Sequence, residues 1–136
     1  MLERKIEGII TALITPFTKE GNIDEEALQE IAEFQVKSGI HGLYPCGTVG
    51  EGQTMSIEQR KRVAQIVVDH VKARIPVIVH IGAIDTTMTI DLAKHAEKVG
   101  ADALGCVTPY YFTLDDHAII KHYKRVAEAV HIPIFV

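Results

Sequence analysis

The chain has 136 residues, of which 47% are hydrophobic and 24% charged, and a formal net charge of −4. That composition suits one folded domain with a core of its own and excludes a disordered chain, and so mild an acidity gives no electrostatic reason to expect nucleic acid or an anionic membrane as partner. No apolar run reaches the roughly 20 residues of a membrane span, and Met1-Leu2-Glu3-Arg4-Lys5 lacks the apolar centre of a secretory signal, so a cytoplasmic setting is expected.

Gly8 to Ile14 is short, β-branched and almost continuously apolar, the pattern of a strand buried on both faces. Thr15-Pro16-Phe17 ends it, and Lys19-Glu20-Gly21-Asn22 supplies turn chemistry. Asp24 then reads as a helix N-cap, with Ile23 and Leu28 placed as a hydrophobic staple, Leu28, Ile31 and Ala32 on the apolar face, and Gly39 at the stop. Gly42 to Cys46 is the second predicted strand. It runs into Gly47-Thr48-Val49-Gly50-Glu51-Gly52, and Ser56-Ile57-Glu58-Gln59 opens the next helix as a capping box. Val63, Ile66, Val67 and Val71 mark that helix's inward face.

Ile75 to Ile81 is a third strand with Pro76 at its start, followed by a helix from about Thr87 that carries Ile90, Ala93, Ala96 and Val99 and stops at Gly100. Ala101 to Val107 is the fourth strand. Thr113 to Asp116 caps a helix with Ile119, Tyr123, Val126 and Val130 inward, and Ile132 to Val136 is a fifth strand. Cys46 and Cys106 fall in predicted strands and are expected as reduced thiols. Strand and helix alternate throughout, which predicts a parallel sheet with crossover helices. Periodicity leaves two architectures open, a doubly wound open sheet or part of a (β/α)8 barrel; a complete barrel takes about 250 residues.

The glycines at 47, 50 and 52 have two readings. They let backbone approach an anionic ligand whose oxygens meet free N–H groups, or they only make a tight strand-to-helix turn. Thr48, Gly82 and Tyr111 all follow the C-terminal ends of predicted parallel strands, the face on which such sheets bind ligands.

Gly-Leu-Tyr-Pro-Cys-Gly-Thr-Val-Gly-Glu at 42–51, with Gln59 further on, resembles the signature of the dihydrodipicolinate synthase / N-acetylneuraminate lyase family. Ala12 to Phe17 ahead of Gly21-Asn22-Ile23-Asp24 is similar to that family's opening. Ile75 to Val79 ahead of Gly82-Ala83 is similar to its third strand, and Val107-Thr108-Pro109-Tyr110-Tyr111 to its fourth. The landmarks occur in order and cover essentially the whole chain. The resemblance implies a (β/α)8 barrel enzyme, a class I aldolase-type lyase that joins pyruvate or a related 2-keto acid to a lysine as a Schiff base, without cofactor or metal. The dihydrodipicolinate synthase branch, which condenses pyruvate with an aldehyde on the way to lysine, fits the Pro-Tyr-Tyr turn best. Another 2-keto acid aldolase of the same family is the alternative.

By the same resemblance Thr48 is a proton-relay threonine, and Tyr111 a relay tyrosine contributed across a subunit contact. Thr48 and Val49 cradle the keto-acid carboxylate through a hydroxyl and backbone N–H groups. Val49 stands where the family usually has a second hydroxyl residue or glycine, a loss of roughly 1.5–3 kcal/mol if a charge-assisted hydrogen bond goes with it. Ile84 likewise replaces a polar residue. The family's Schiff-base lysine belongs to a sixth strand, and a further catalytic tyrosine is expected directly after Val136.

All nine lysines fall on predicted helices, in turns or ahead of the first strand. The resemblance implies that residues 1–136 form a single partial barrel of four βα units plus a fifth strand. Such a chain is inactive alone and forms a homodimer or higher oligomer, or pairs with a C-terminal half. A silent half-barrel assembly module and a small-anion binding module on an open sheet remain as other readings. The seven histidines show no zinc-ligand spacing. His117 and His122 do not share a helix face, His70 and His95 are expected at solvent edges, and His80 is the one inside a strand, expected as a hydrogen-bonded core residue.

Overall fold

The computed structural model describes residues 5–136. Five strands alternate with four helices: β1 (Ile10–Ala12), α1 (Glu25–Lys37), β2 (Gly42–Tyr44), α2 (Ile57–Val71), β3 (Ile78–His80), α3 (Thr86–Val99), β4 (Ala103–Gly105), α4 (Asp116–Ala127) and β5 (Ile134–Phe135). The strands are shorter than their apolar runs, although single hydrogen bonds continue past their bounds, Leu13 N–H to Tyr44 O at 3.1 Å and Ile81 N–H to Gly105 O at 2.8 Å among them. The helix starts follow local chemistry. Asp24, Asp85 and Asp115 each accept a hydrogen bond from the backbone N–H three residues on, and Ser56 and Gln59 form the complete capping box. Helix α3 thus begins one residue ahead of the predicted Thr87, because Asp85 is its cap. Gly100 closes α3 with a φ of +95°, whereas α2 ends on a left-handed lysine, Lys72.

All strand pairs are parallel. β1 pairs with β2, β3 with β4 and β4 with β5, and a bridge between Leu43 and Val77 joins β2 to β3. The spatial order is therefore the chain order, and each helix packs on the next, α1 on α2, α2 on α3 and α3 on α4. A doubly wound sheet reverses its strand order and has helices on both faces. Here the order never reverses and the helices form one layer, as in a stretch of a (β/α)8 barrel.

The core lies between sheet and helices. Leu13, Leu43, Val79, Ile81, Leu104 and Cys106 point from the strands into Val63, Val67, Leu92, Ala96 and Val126. The opposite sheet face carries a different set. Tyr44 of β2 leans across β3 onto β4: a Cβ added to Gly105 would lie 2.5 Å from the tyrosine Cζ, and the Tyr44 and His80 ring centroids are 5.9 Å apart. Side chains of alternate strands sharing one layer are what the inside of a barrel requires. At the outer layer, Glu33 of α1 accepts from Arg74 at 2.7 Å and lies 3.0 Å from His70 Nε2, so His70 is partly buried in an interhelical clamp instead of standing at a solvent edge. His95 is also partly buried.

Candidate functional site

The C-terminal ends of β2, β3 and β4 place the three predicted landmarks on one rim. The 47–52 turn follows β2. Its backbone is knotted on itself, with Glu51 N–H donating to Thr48 O and Gly52 N–H to Gly47 O, both at 3.0 Å. Thr15, three residues past β1, donates its hydroxyl to Gly50 O at 2.7 Å and ties the turn to the loop after the neighbouring strand. Thr48 and Val49 stand out at the apex, Val49 being 56% exposed. Among the described residues, the backbone N–H groups of Thr48 and Val49 and the Thr48 hydroxyl make no hydrogen bond. The turn therefore offers three unengaged polar hydrogens at a strand end.

The turn's glycines serve packing. A Cβ on Gly50 would meet Leu13 O at 2.6 Å, and one on Gly52 would overlap the Cys46 carbonyl, with the carbonyl carbon at 2.6 Å. A Cβ on Gly47 would meet the Tyr44 ring at 3.0 Å. None of the three has a positive φ; the left-handed residues here are Cys46 and Glu51, at +63° and +55°. The close backbone contacts at Gly50 and Gly52 support the tight-turn reading of these glycines. The strain sits on non-glycine residues flanking Thr48 and Val49, a pattern concentrated at functional sites.

Beneath the turn lies a buried polar cluster. His80 is 4% exposed, and its Nδ1 is 3.1 Å from the Cys46 carbonyl. A carbonyl only accepts, so Nδ1 carries the hydrogen. Burial, reinforced by the nearby Arg60 charge, lowers the imidazole to about 4, and it is neutral at pH 7. His80 is thus the hydrogen-bonded core histidine the sequence predicts. Arg60, 3% exposed, reaches from the first turn of α2 to donate to His80 O and Gly82 O, both at 2.9 Å. The Cys46 thiol donates to Arg60 O at 3.6 Å, and burial pushes it up to about 12.

Tyr111 follows β4 with a φ of +82°, is 84% exposed and packs its ring edge-to-face on Phe112 at 4.9 Å. It makes no hydrogen bond to Thr48 among the described residues. β3 separates β2 from β4, so at about 4.8 Å per strand the two loops rise roughly 10 Å apart at their bases. Within one chain Thr48 and Tyr111 share a rim and are not in contact.

A family model described as the dihydrodipicolinate synthetase family matches residues 5–136. The chain belongs to that family. It is 45% identical over 131 residues to a 4-hydroxy-tetrahydrodipicolinate synthase of Bartonella tribocorum, covering 96% of this chain and 45% of the relative. Among solved structures, a dihydrodipicolinate synthase from Acinetobacter baumannii complexed with pyruvate superposes with a TM-score of 0.91 at 37% identity, over 96% of this chain and 45% of that one. CdNal from Clostridium difficile, in complex with mannosamine, reaches 0.94 at 32% identity, over 96% and 46%. The chain spans about half the length of the curated relatives it matches.

Two residues of this dihydrodipicolinate synthetase family member escape sequence reading. Arg60 looks like one more polar residue of an amphipathic helix, since nothing in its neighbours shows that β3 presents two carbonyls to it. His122 shares a helix with exposed His117, yet is buried, 2.9 Å from the Thr86 hydroxyl and 3.8 Å from Cys106 Sγ. Its spacing of four from Val126 and three from Ile119 is the one signal that it faces inward. Among the described residues, no group of three or more His, Cys, Asp or Glu could hold a metal ion, and no helix is long and apolar enough to cross a membrane.

Proposed function

We propose that this chain supplies the keto-acid cradle and part of the proton relay of a Schiff-base lyase, with pyruvate or a closely related 2-keto acid as substrate. The observation that carries the reading is the apex of the 47–52 turn, where exposed Thr48 and Val49 follow the C-terminal end of β2 and, among the described residues, their N–H groups and the Thr48 hydroxyl make no hydrogen bond. A carboxylate has the acceptor oxygens such a turn lacks. The pyruvate bound in the Acinetobacter baumannii relative supports that choice of ligand, and the name of the Bartonella relative favours 4-hydroxy-tetrahydrodipicolinate synthesis as the reaction. Thr48 and Tyr111 carry protons, with Tyr111 reaching a neighbouring subunit's site, in keeping with its exposure and with a hydroxyl that makes no hydrogen bond among the described residues. Val49 contributes its N–H alone.

The covalent amine comes from elsewhere. A nucleophilic lysine must be desolvated to be neutral near pH 7. None of the nine lysines lies on a strand. Eight are exposed, and the ninth, Lys61, is held in its charged form by a hydrogen bond to Asp91 at 2.8 Å.

Borohydride reduction with pyruvate, read by intact mass, tests the assignment. The 136-residue chain alone is expected to form no adduct, and adding the C-terminal half of a relative is expected to produce a single adduct on that partner. In the reconstituted enzyme Thr48→Val and Tyr111→Phe lower kcat about a hundredfold while changing KM little. An adduct on one lysine of this chain alone, or two variants with undiminished turnover, would overturn the reading.

A further inference from the structure

Arg60 carries a charge that the fold leaves unanswered. Its Nη atoms are engaged by the His80 and Gly82 carbonyls, but its Nε is buried without an acceptor. Among the described residues no carboxylate lies within ion-pair reach of it. The titratable groups around it are the thiols of Cys46 and Cys106, the Tyr110 hydroxyl and the His80 imidazole. A buried guanidinium without a counter-ion is costly, and such groups are normally paired. Its location gives the charge a use. One imidazole separates the guanidinium from the Cys46 carbonyl, which stands two residues before Thr48, and its two donor bonds clamp the end of β3. The charge therefore sits at the end of β3, one imidazole away from the backbone that leads into the Thr48–Val49 turn, in surroundings too dry to screen it well.

We infer that Arg60 is a positioning residue of the anion cradle: its desolvated charge makes the Thr48–Val49 turn select a carboxylate over a neutral carbonyl compound, while its two bonds hold that end of the sheet in place. The inference rests on the reading of the turn as a keto-acid cradle. The bound carboxylate is the missing countercharge, and Arg60 supplies it with attraction without touching it.

The test is a titration of the isotopically labelled full chain with formate, pyruvate and pyruvamide, the uncharged analogue, followed at the Thr48 and Val49 amides and the Arg60 Nε–H signal. Formate and pyruvate are expected to move all three signals together, and pyruvamide to leave them in place. Arg60→Met is expected to weaken both anions about tenfold, and Arg60→Lys to restore most of the affinity because it keeps the charge. The wild-type Nε–H signal decides the matter even where Arg60→Met does not fold. Shifts with formate but not pyruvate would remove the keto-acid reading and leave Arg60's role standing. Equal binding of pyruvate and pyruvamide, an unmoved Nε–H signal while the amides shift, or wild-type affinity in Arg60→Met would each overturn the inference. No shift with any anion would remove both.

Discussion

Gly52→Ala separates the two readings of the glycine-rich turn. The added methyl would overlap the Cys46 carbonyl oxygen and lie 2.6 Å from its carbon and 3.2 Å from its Cα. All three atoms are backbone, so no side chain can swing aside. Cys46 already has a φ of +63° and its carbonyl accepts from His80, which leaves it little freedom to retreat. Relief must come from opening the turn, at the expense of the Gly52 N–H to Gly47 O bond. Overpacking of this kind costs about 1–3 kcal/mol and the lost bond about 0.5–1.5, together roughly 2–4 kcal/mol. For 136 residues the unfolding entropy near 60 °C is about 0.3 kcal/mol/K, so Tm should fall by roughly 7–14 °C. Gly21→Ala is the control. Its Cβ meets nothing within 4 Å, and only the strain of a φ of +82° remains, about 1 kcal/mol or roughly 3 °C. Thermal and urea unfolding followed by circular dichroism read both. A Gly52→Ala chain melting within about 2 °C of wild type would refute the packing account and return the glycine to the ligand.

Three further outcomes follow from burial and edges. His80 is lowered to about 4 from 6.5, so the unfolded chain takes up this proton between those values while the folded chain does not; stability is flat above pH 6.5 and falls by about 3 kcal/mol by pH 4, with His122, lowered chiefly by burial, acting in the same direction. Urea midpoints across that range and the His80 ring-proton shift check it, and a His80 that titrates near 6.5 would contradict it. The Cys46 and Cys106 thiols, pushed by burial up to about 12 and about 11, should react with a disulfide reagent at pH 8 only at the rate of unfolding, and rapid native labelling of either would show the cluster to be open. Finally, β1 and β5 each pair on one side among the described residues, with Ile14 and Phe135 about half exposed, so the isolated chain should self-associate at micromolar concentration. A compact monomer by sedimentation would count against that.

Local interactions wrote most of the fold into the sequence. A capping aspartate needs only a backbone N–H three residues on, and the Ser56–Gln59 box needs only its own four residues, so these helix starts were legible without tertiary context. The alternation of apolar strand and amphipathic helix likewise specifies a parallel sheet, and the signature at 42–51 specifies the family. Strand order was not legible, because a helix of the same length and pattern returns the chain to either side of a sheet. Only the pairing of β2 with β3 and the single layer of helices decides it. The roles of Gly50 and Gly52 depend on the Leu13 and Cys46 carbonyls packed against them, and residue type does not reveal which backbone lies there. Arg60 and His122 are the clearest cases. Each is a polar residue on an amphipathic helix whose burial is acceptable only because another element brings carbonyls, a hydroxyl or a sulfur to it. Hydrogen-bond partners of that kind are set by where strands end in space, which the chain acquires only on folding.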